Sequence, residues 1–184
     1  MSTTIEQRRV RFTVSEYERM GAILGERRTE LIDGEIIEMA AIGTAHLVVV
    51  DRLERVLVGL KASGRLQSSQ PVRLSERDEP QPDLTVLRQP LQLHKPTAAD
   101  CLLLIEVSDT SYDPDRARKV PRYLAAGVPE VWLVNISDHN HPCLEVHTRG
   151  GSERRVTGGQ VWVESLAVSL DVLFEGLADL RGDE

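Results

Sequence analysis

Residues 101 to 107, Cys-Leu-Leu-Leu-Ile-Glu-Val, constrain this chain more than any other segment. A continuous apolar run of that length suits a central strand covered on both faces. It carries one acid, Glu106, which is costly to bury unless it is paired or binds a cation. The next thirty residues supply a crossover. SDTSYDPD reads as loop and cap, with Asp113-Pro114 as N-cap and first helical position. A helix from Pro114 to about Ala126 stops at Gly127, and VPEVWLVNI is a second buried strand. Strand 101–107, helix 114–126 and strand 129–136 therefore predict a right-handed βαβ unit with parallel strands. Pro121 lies inside the helix and deletes one backbone hydrogen bond, which predicts a kink near Ala117 or a distorted first half that helps aim Lys119.

Upstream, Thr13 or Ser15 caps a first helix carrying Tyr17, Met20 and Leu24. Asp33-Gly34, between the segments TELI and EIIEM, is a two-residue hairpin signal. Thr44 is read as the cap of a helix running to about Ser63, with Leu47, Val50, Leu53, Leu57 and Leu60 as its buried face and Gly64 as its stop. A β region over 65–74 has Pro71 at an edge or bulge, and Pro82–Leu87 is a short strand. The segment 88–100, with Pro90 and Pro96, is a loop. CLEVHTRG, GGQVWVES and VSLDVLFEGL read as a β extension and a short last helix. These elements predict an α/β class in one domain.

The chain has 184 residues and only 4% aromatics, so its core must be mostly Leu, Val, Ile and Ala. A net charge of -7 argues against a protein that coats nucleic acid non-specifically. It is compatible with a nuclease, because acids that hold a metal lower the net charge. MSTTIEQRRV has no apolar signal segment, and no run reaches the roughly 18 apolar residues of a membrane span. Two cysteines make no disulfide framework, and Cys101 is predicted to be buried. The chain reads as cytoplasmic.

Asp83 opens one strand, Glu106 ends another, and Lys119 lies on the helix that leaves it. Asp115 and Lys119 are spaced to share a helix face, with Tyr123 further along the same stripe. Hard carboxylate oxygens hold Mg²⁺ or Mn²⁺, and a nearby lysine stabilises developing negative charge or positions water. That set matches what phosphodiester hydrolysis needs.

Gln81-Pro82-Asp83, Ile105-Glu106-Val107-Ser108, Asp115-Arg116-x-x-Lys119-x-x-x-Tyr123 and Ala126-Gly127-Val128-Pro129-Glu130-Val131-Trp132 together resemble the bacterial family of restriction-endonuclease-like proteins often called Uma. Glu30-Leu-Ile-Asp33-Gly34-Glu35 resembles that family's early hairpin, and His46 also matches. The resemblance covers roughly residues 12 to 175 and is specific only in combination. It implies a PD-(D/E)XK nuclease fold, a mixed sheet flanked by helices with the active site on its edge, with DNA as substrate and Mg²⁺ or Mn²⁺ as cofactor. Asp83 and Glu106 would be the metal carboxylates. Ser108 occupies the position where the usual pattern has lysine, so the resemblance implies that Lys119 serves from the following helix. Glu30 would add an acid and Gln81 a supporting polar group.

Plainer roles compete. Asp83 can cap a turn after proline. Lys119 can simply pair with Asp115, a contact worth ~0.3–0.5 kcal/mol. Glu30 can pair with Arg27 or Arg28, and His46 can be only a helix-start residue. Tyr123 suits the core beneath the site, and His139 and His141 read as solvent residues in a loop. Two rival functions compete as well: a degenerate nuclease fold that binds nucleic acid or a protein partner without cleaving, and a structural homodimerisation module. A homodimer is expected by analogy with small nuclease cores that pair across a two-fold axis.

Overall fold

A computed structural model describes residues 10–180. The expected lack of a signal segment concerns residues that lie outside this range. The centre of the fold is a six-stranded mixed sheet. In spatial order it contains β3 (Leu66–Ser68), β4 (Leu84–Leu87), β5 (Cys101–Ser108), β6 (Glu130–Asn135), β7 (Cys143–Thr148) and β8 (Glu153–Val156). β5 and β6 run parallel, as the crossover reading requires, and the other neighbours are antiparallel. Two further strand pairs lie outside this sheet: β1 (Thr29–Ile32) with β2 (Glu35–Glu38), and β9 (Gln160–Val163) with β10 (Leu166–Ser169).

Alternation along the strands divides the core between the two faces. Leu103, Ile105 and Val107 of β5, with Trp132 and Val134 of β6, join Ala45, Val49 and Leu53 of α3 (Thr44–Val56) on one face. Leu104, Val131 and Leu133 face the other way, against Val120 and Tyr123 of α6 (Val120–Ala126). Glu106 follows Leu104 at the strand's period of two, so it points toward α6. Cys101 is buried on that face too.

Of the two candidate caps, Thr13 caps the first helix, α1 (Val14–Arg19), in a capping box with Glu16, and the short α2 (Gly21–Leu24) follows. Several other local expectations are corrected. Gly43, not Thr44, is the N-cap of α3, and Thr44 is its first helical residue. That helix is not continuous to Ser63. It turns at Leu57 and resumes as α4 (Val58–Ala62). Leu47 is 55% exposed, because Ala45 and Val49 occupy the buried stripe instead. The β region over 65–74 contracts to β3.

The crossover helix shows the largest departure. Ser111, rather than Asp113, is the N-cap of a single turn, α5 (Tyr112–Pro114). Asp115–Lys119 is then a π-helical segment, in which Val120 N–H reaches back to the Asp115 carbonyl. An ordinary α-helix follows and closes on left-handed Gly127. The distortion expected from Pro121 thus lies in the first half of the helix, as one π turn (the wide turn often found at functional sites).

The hairpin turn is built as its sequence predicts. Asp33 and Gly34 both have positive φ, 51° and 72°. A side chain on Gly34 would meet Arg11 Cβ at 2.8 Å. The hairpin is tied to the body by Asp33 N–H donating to Asp78 (2.7 Å) and by the Leu31–Glu79 bridge. Among the described residues no helix is long and apolar enough to cross a membrane.

Candidate active site

β4 and β5 pair with Leu84 opposite Ile105. One further step places Asp83 opposite Glu106, and directly opposed side chains share a face of the sheet. Asp83 Oδ2 accepts the Val107 N–H at 2.7 Å, which fixes the carboxylate beside Glu106. Its other oxygen lies 3.0 Å from His46 Nε2, at the start of α3. His46 therefore reaches over the end of the sheet to the site, and its Nδ1 is buried without a hydrogen-bond partner among the described residues.

The π-helical segment lies across the same face. Lys119 Nζ sits 3.4 Å from Glu106, 3.2 Å from Glu30 and 3.3 Å from Asp115. Lys119 and these three acids are all buried. Glu30 enters from β1, where its second oxygen accepts the Gln81 N–H at 3.2 Å. Gln81 also donates its side-chain amide to the Thr29 carbonyl. Ser108 Oγ and Ser111 Oγ both donate to Asp115 Oδ2. Tyr123 donates a hydrogen bond to Glu106 Oε1. Lys119, Glu106, Glu30, Asp115, Ser108 and Tyr123 thus form one contact network, joined by Gln81 through its backbone N–H, and the Asp83–His46 pair lies beside it through the strand register. Glu30 pairs with Lys119 rather than with Arg27 or Arg28.

The electrostatics follow from burial. Removal from water pushes the Glu106 pKa well above the usual carboxylate range; Lys119 opposes the shift, while Asp115, Asp83 and Glu30 add to it. Burial works against the charge on Lys119, but Glu106, Glu30 and Asp115 outweigh it and raise its pKa. Burial and then the Glu106 and Glu30 charges push Tyr123 far up, so its hydroxyl remains a donor.

The cluster opens into a cavity of about 540 Å³. Arg28, Arg118 and Lys119 line it against Glu30, Glu38, Asp83, Glu106, Asp109 and Asp115, three cations to six acids. Ile37, Met39 and Ile42 give it an apolar wall. Asp83 and Glu106 are hard oxygen donors facing this one space, which suits a divalent cation of the Mg²⁺ type. Among the described residues the compact trio of metal-type donors lies elsewhere, at Glu145, His147 and Glu153.

Sequence reasoning missed Asp109 and Arg118 in the cavity wall, since both stand in ordinary polar surroundings. His139 is not a simple solvent residue. It is half-buried, with Nε2 3.3 Å from Asp109, whereas His141 is exposed beside Asp138.

The six-stranded mixed sheet flanked by helices places the chain among α/β proteins. Residues 14–175 match the Uma2 family, described as "Putative restriction endonuclease", and the chain belongs to that family. A solved structure from Anabaena variabilis, titled a "putative nuclease belonging to DUF820", superposes with a TM-score of 0.72 at 17% identity. The alignment covers 90% of this chain and 99% of that one, and it establishes the shared fold. No curated protein matches.

Proposed function

We propose that the protein is a metal-dependent endonuclease-like hydrolase that cleaves phosphodiester bonds in DNA. The observation that carries this reading is the opposition of Asp83 and Glu106 across β4 and β5, with Lys119 3.4 Å from Glu106. Asp83 and Glu106 would hold Mg²⁺ or Mn²⁺. A bound ion of this kind lowers the pKa of water and neutralises charge on phosphate oxygens.

The chain's own groups have separable tasks. The Val107 N–H and His46 orient the Asp83 carboxylate. Tyr123 holds one oxygen of Glu106. Lys119 keeps its positive charge where negative charge develops on a scissile phosphate, and steadies the attacking water. Glu30 and Asp115 position Lys119. An acid-rich lining repels a phosphodiester unless cations accompany it, which supports a metal-dependent reaction over a lysine-only one. One cavity accommodates one scissile linkage, so cutting both strands fits a homodimer, and the solution mass tests that.

The direct test is plasmid cleavage with Mg²⁺ or Mn²⁺ by wild type and Asp83→Ala. Metal-dependent cleavage by wild type alone is expected. Pure wild type that cleaves neither DNA nor RNA with either metal would remove the enzyme reading.

One observation favours a second reading, a non-cleaving binder. Lys119 already supplies one cation shared by three carboxylates, so part of the cluster's negative charge is offset without metal. In that case DNA binding persists, while calorimetry detects no Mn²⁺ uptake that Glu106→Ala abolishes.

A further inference from the structure

β7 and β8 carry a second group of donors, apart from the cavity. Glu145 and His147 are two residues apart on β7, so they project from the same face. Glu153 is the cross-strand partner of His147 in the β7–β8 pairing, and it joins them on that face. One ligand atom from each of the three lies within 4.8 Å of the others. Glu145 and His147 are buried, and Glu153 is exposed at the rim.

His147 makes the group more than an acidic patch. The residue is 7% exposed, and its Nε2 is buried with no hydrogen-bond partner among the described residues. That nitrogen lies 3.3 Å from Glu145 Oε2, and Nδ1 lies 3.8 Å from Glu153 Oε2. A buried imidazole nitrogen usually has a partner, and one beside carboxylates suits a shared cation.

We propose that Glu145, His147 and Glu153 form a second metal site, selective for a first-row transition ion such as Zn²⁺ over Mg²⁺. The selectivity follows from the imidazole, since Mg²⁺ prefers an all-oxygen shell. Three protein ligands leave a further position to water or a substrate oxygen.

Arg116 now covers the carboxylates, with Nε 3.0 Å from Glu145 and a terminal nitrogen 2.7 Å from Glu153. Tyr112 donates to the other Glu145 oxygen at 2.7 Å. The ion and the guanidinium compete for the same oxygens. Arg116 also belongs to the π-helical segment that carries Asp115 and Lys119. Metal at β7–β8 releases Arg116 from its carboxylates, so occupancy there is coupled to the turn that aims Lys119.

The test is Zn²⁺ calorimetry on the full chain in an Asp83→Asn background, which silences the first site, with parallel melts to confirm folding. One Zn²⁺ equivalent is expected. Glu153→Gln, at an exposed position, should weaken it by at least the roughly tenfold that loss of even an outer-sphere partner costs, and His147→Gln by more. Arg116→Ala should tighten it. In the wild-type background Glu153→Gln should weaken one Zn²⁺ equivalent by the same factor and keep Mn²⁺ uptake. Absence of saturable Zn²⁺ binding, or binding that Glu153→Gln and His147→Gln leave unchanged, would overturn the proposal. So would weaker binding in Arg116→Ala. None of these results depends on cleavage, so the second site can fail while the nuclease reading stands.

Discussion

Lys119 lies 3.4 Å from Glu106, reached from the helix after β5 and not from the strand itself. Ser108, at the position where the strand pattern would put a lysine, instead donates to Asp115 at 2.7 Å. The strand residue thus braces an acid that in turn holds Lys119, 3.3 Å away.

Removing the lysine should therefore damage the fold as well as the activity. Lys119→Met leaves Glu30, Asp115 and Glu106 buried without their cation. Breaking one partner of a buried ion cluster costs about 3–5 kcal/mol. Urea unfolding should report that loss. Adding Glu30→Gln should recover part of it, with a coupling of about 0.5–3 kcal/mol as expected for residues in one network.

Asp83→Asn and Glu106→Gln keep side-chain size and remove charge. Each should abolish Mn²⁺ uptake by calorimetry and lower plasmid cleavage by at least about a hundredfold, the upper range for outer-sphere losses and so a floor for direct ligands. A folded Glu106→Gln protein that still binds Mn²⁺ as wild type does would remove Glu106 from the metal site.

His46 should behave as an orienting group. His46→Gln frees one Asp83 oxygen from its neighbour at 3.0 Å. Mn²⁺ affinity should fall by roughly 10- to 100-fold, as for other partners that orient a ligand, without loss of the fold. Calorimetry and a thermal melt separate the two effects.

The pH dependence has a defined sign. Burial raises the folded pKa of Glu106 above its ordinary 4.5. Between those two values the native state holds a proton that the unfolded chain has released. Stability from this group is therefore full below the ordinary pKa and declines as pH rises through the folded one. Urea melts across pH should show Glu106→Gln gaining on wild type as pH increases. Metal uptake needs the ionised carboxylate, so Mn²⁺ affinity should rise with pH and binding should release protons. Titrations in buffers of different ionisation enthalpy measure that release.

The sequence by itself determined the β5–β6 crossover, the Asp33-Gly34 hairpin and the costly placement of Glu106. Those features are local: apolar run length, turn conformation and the strand's period of two are written in neighbouring residues. The family resemblance marked the same residues that the structure gathers. Sequence could not determine that a π turn interrupts the crossover helix, that Glu30 pairs with Lys119 rather than with Arg27 or Arg28, or that His46 reaches Asp83. Nor did it mark Glu145, His147 and Glu153, whose common face depends on the β7–β8 register. Each depends on how separate elements dock. Tertiary packing decided them because a buried ammonium needs all of its carboxylates at once, and those come from β1, β5 and the crossover helix.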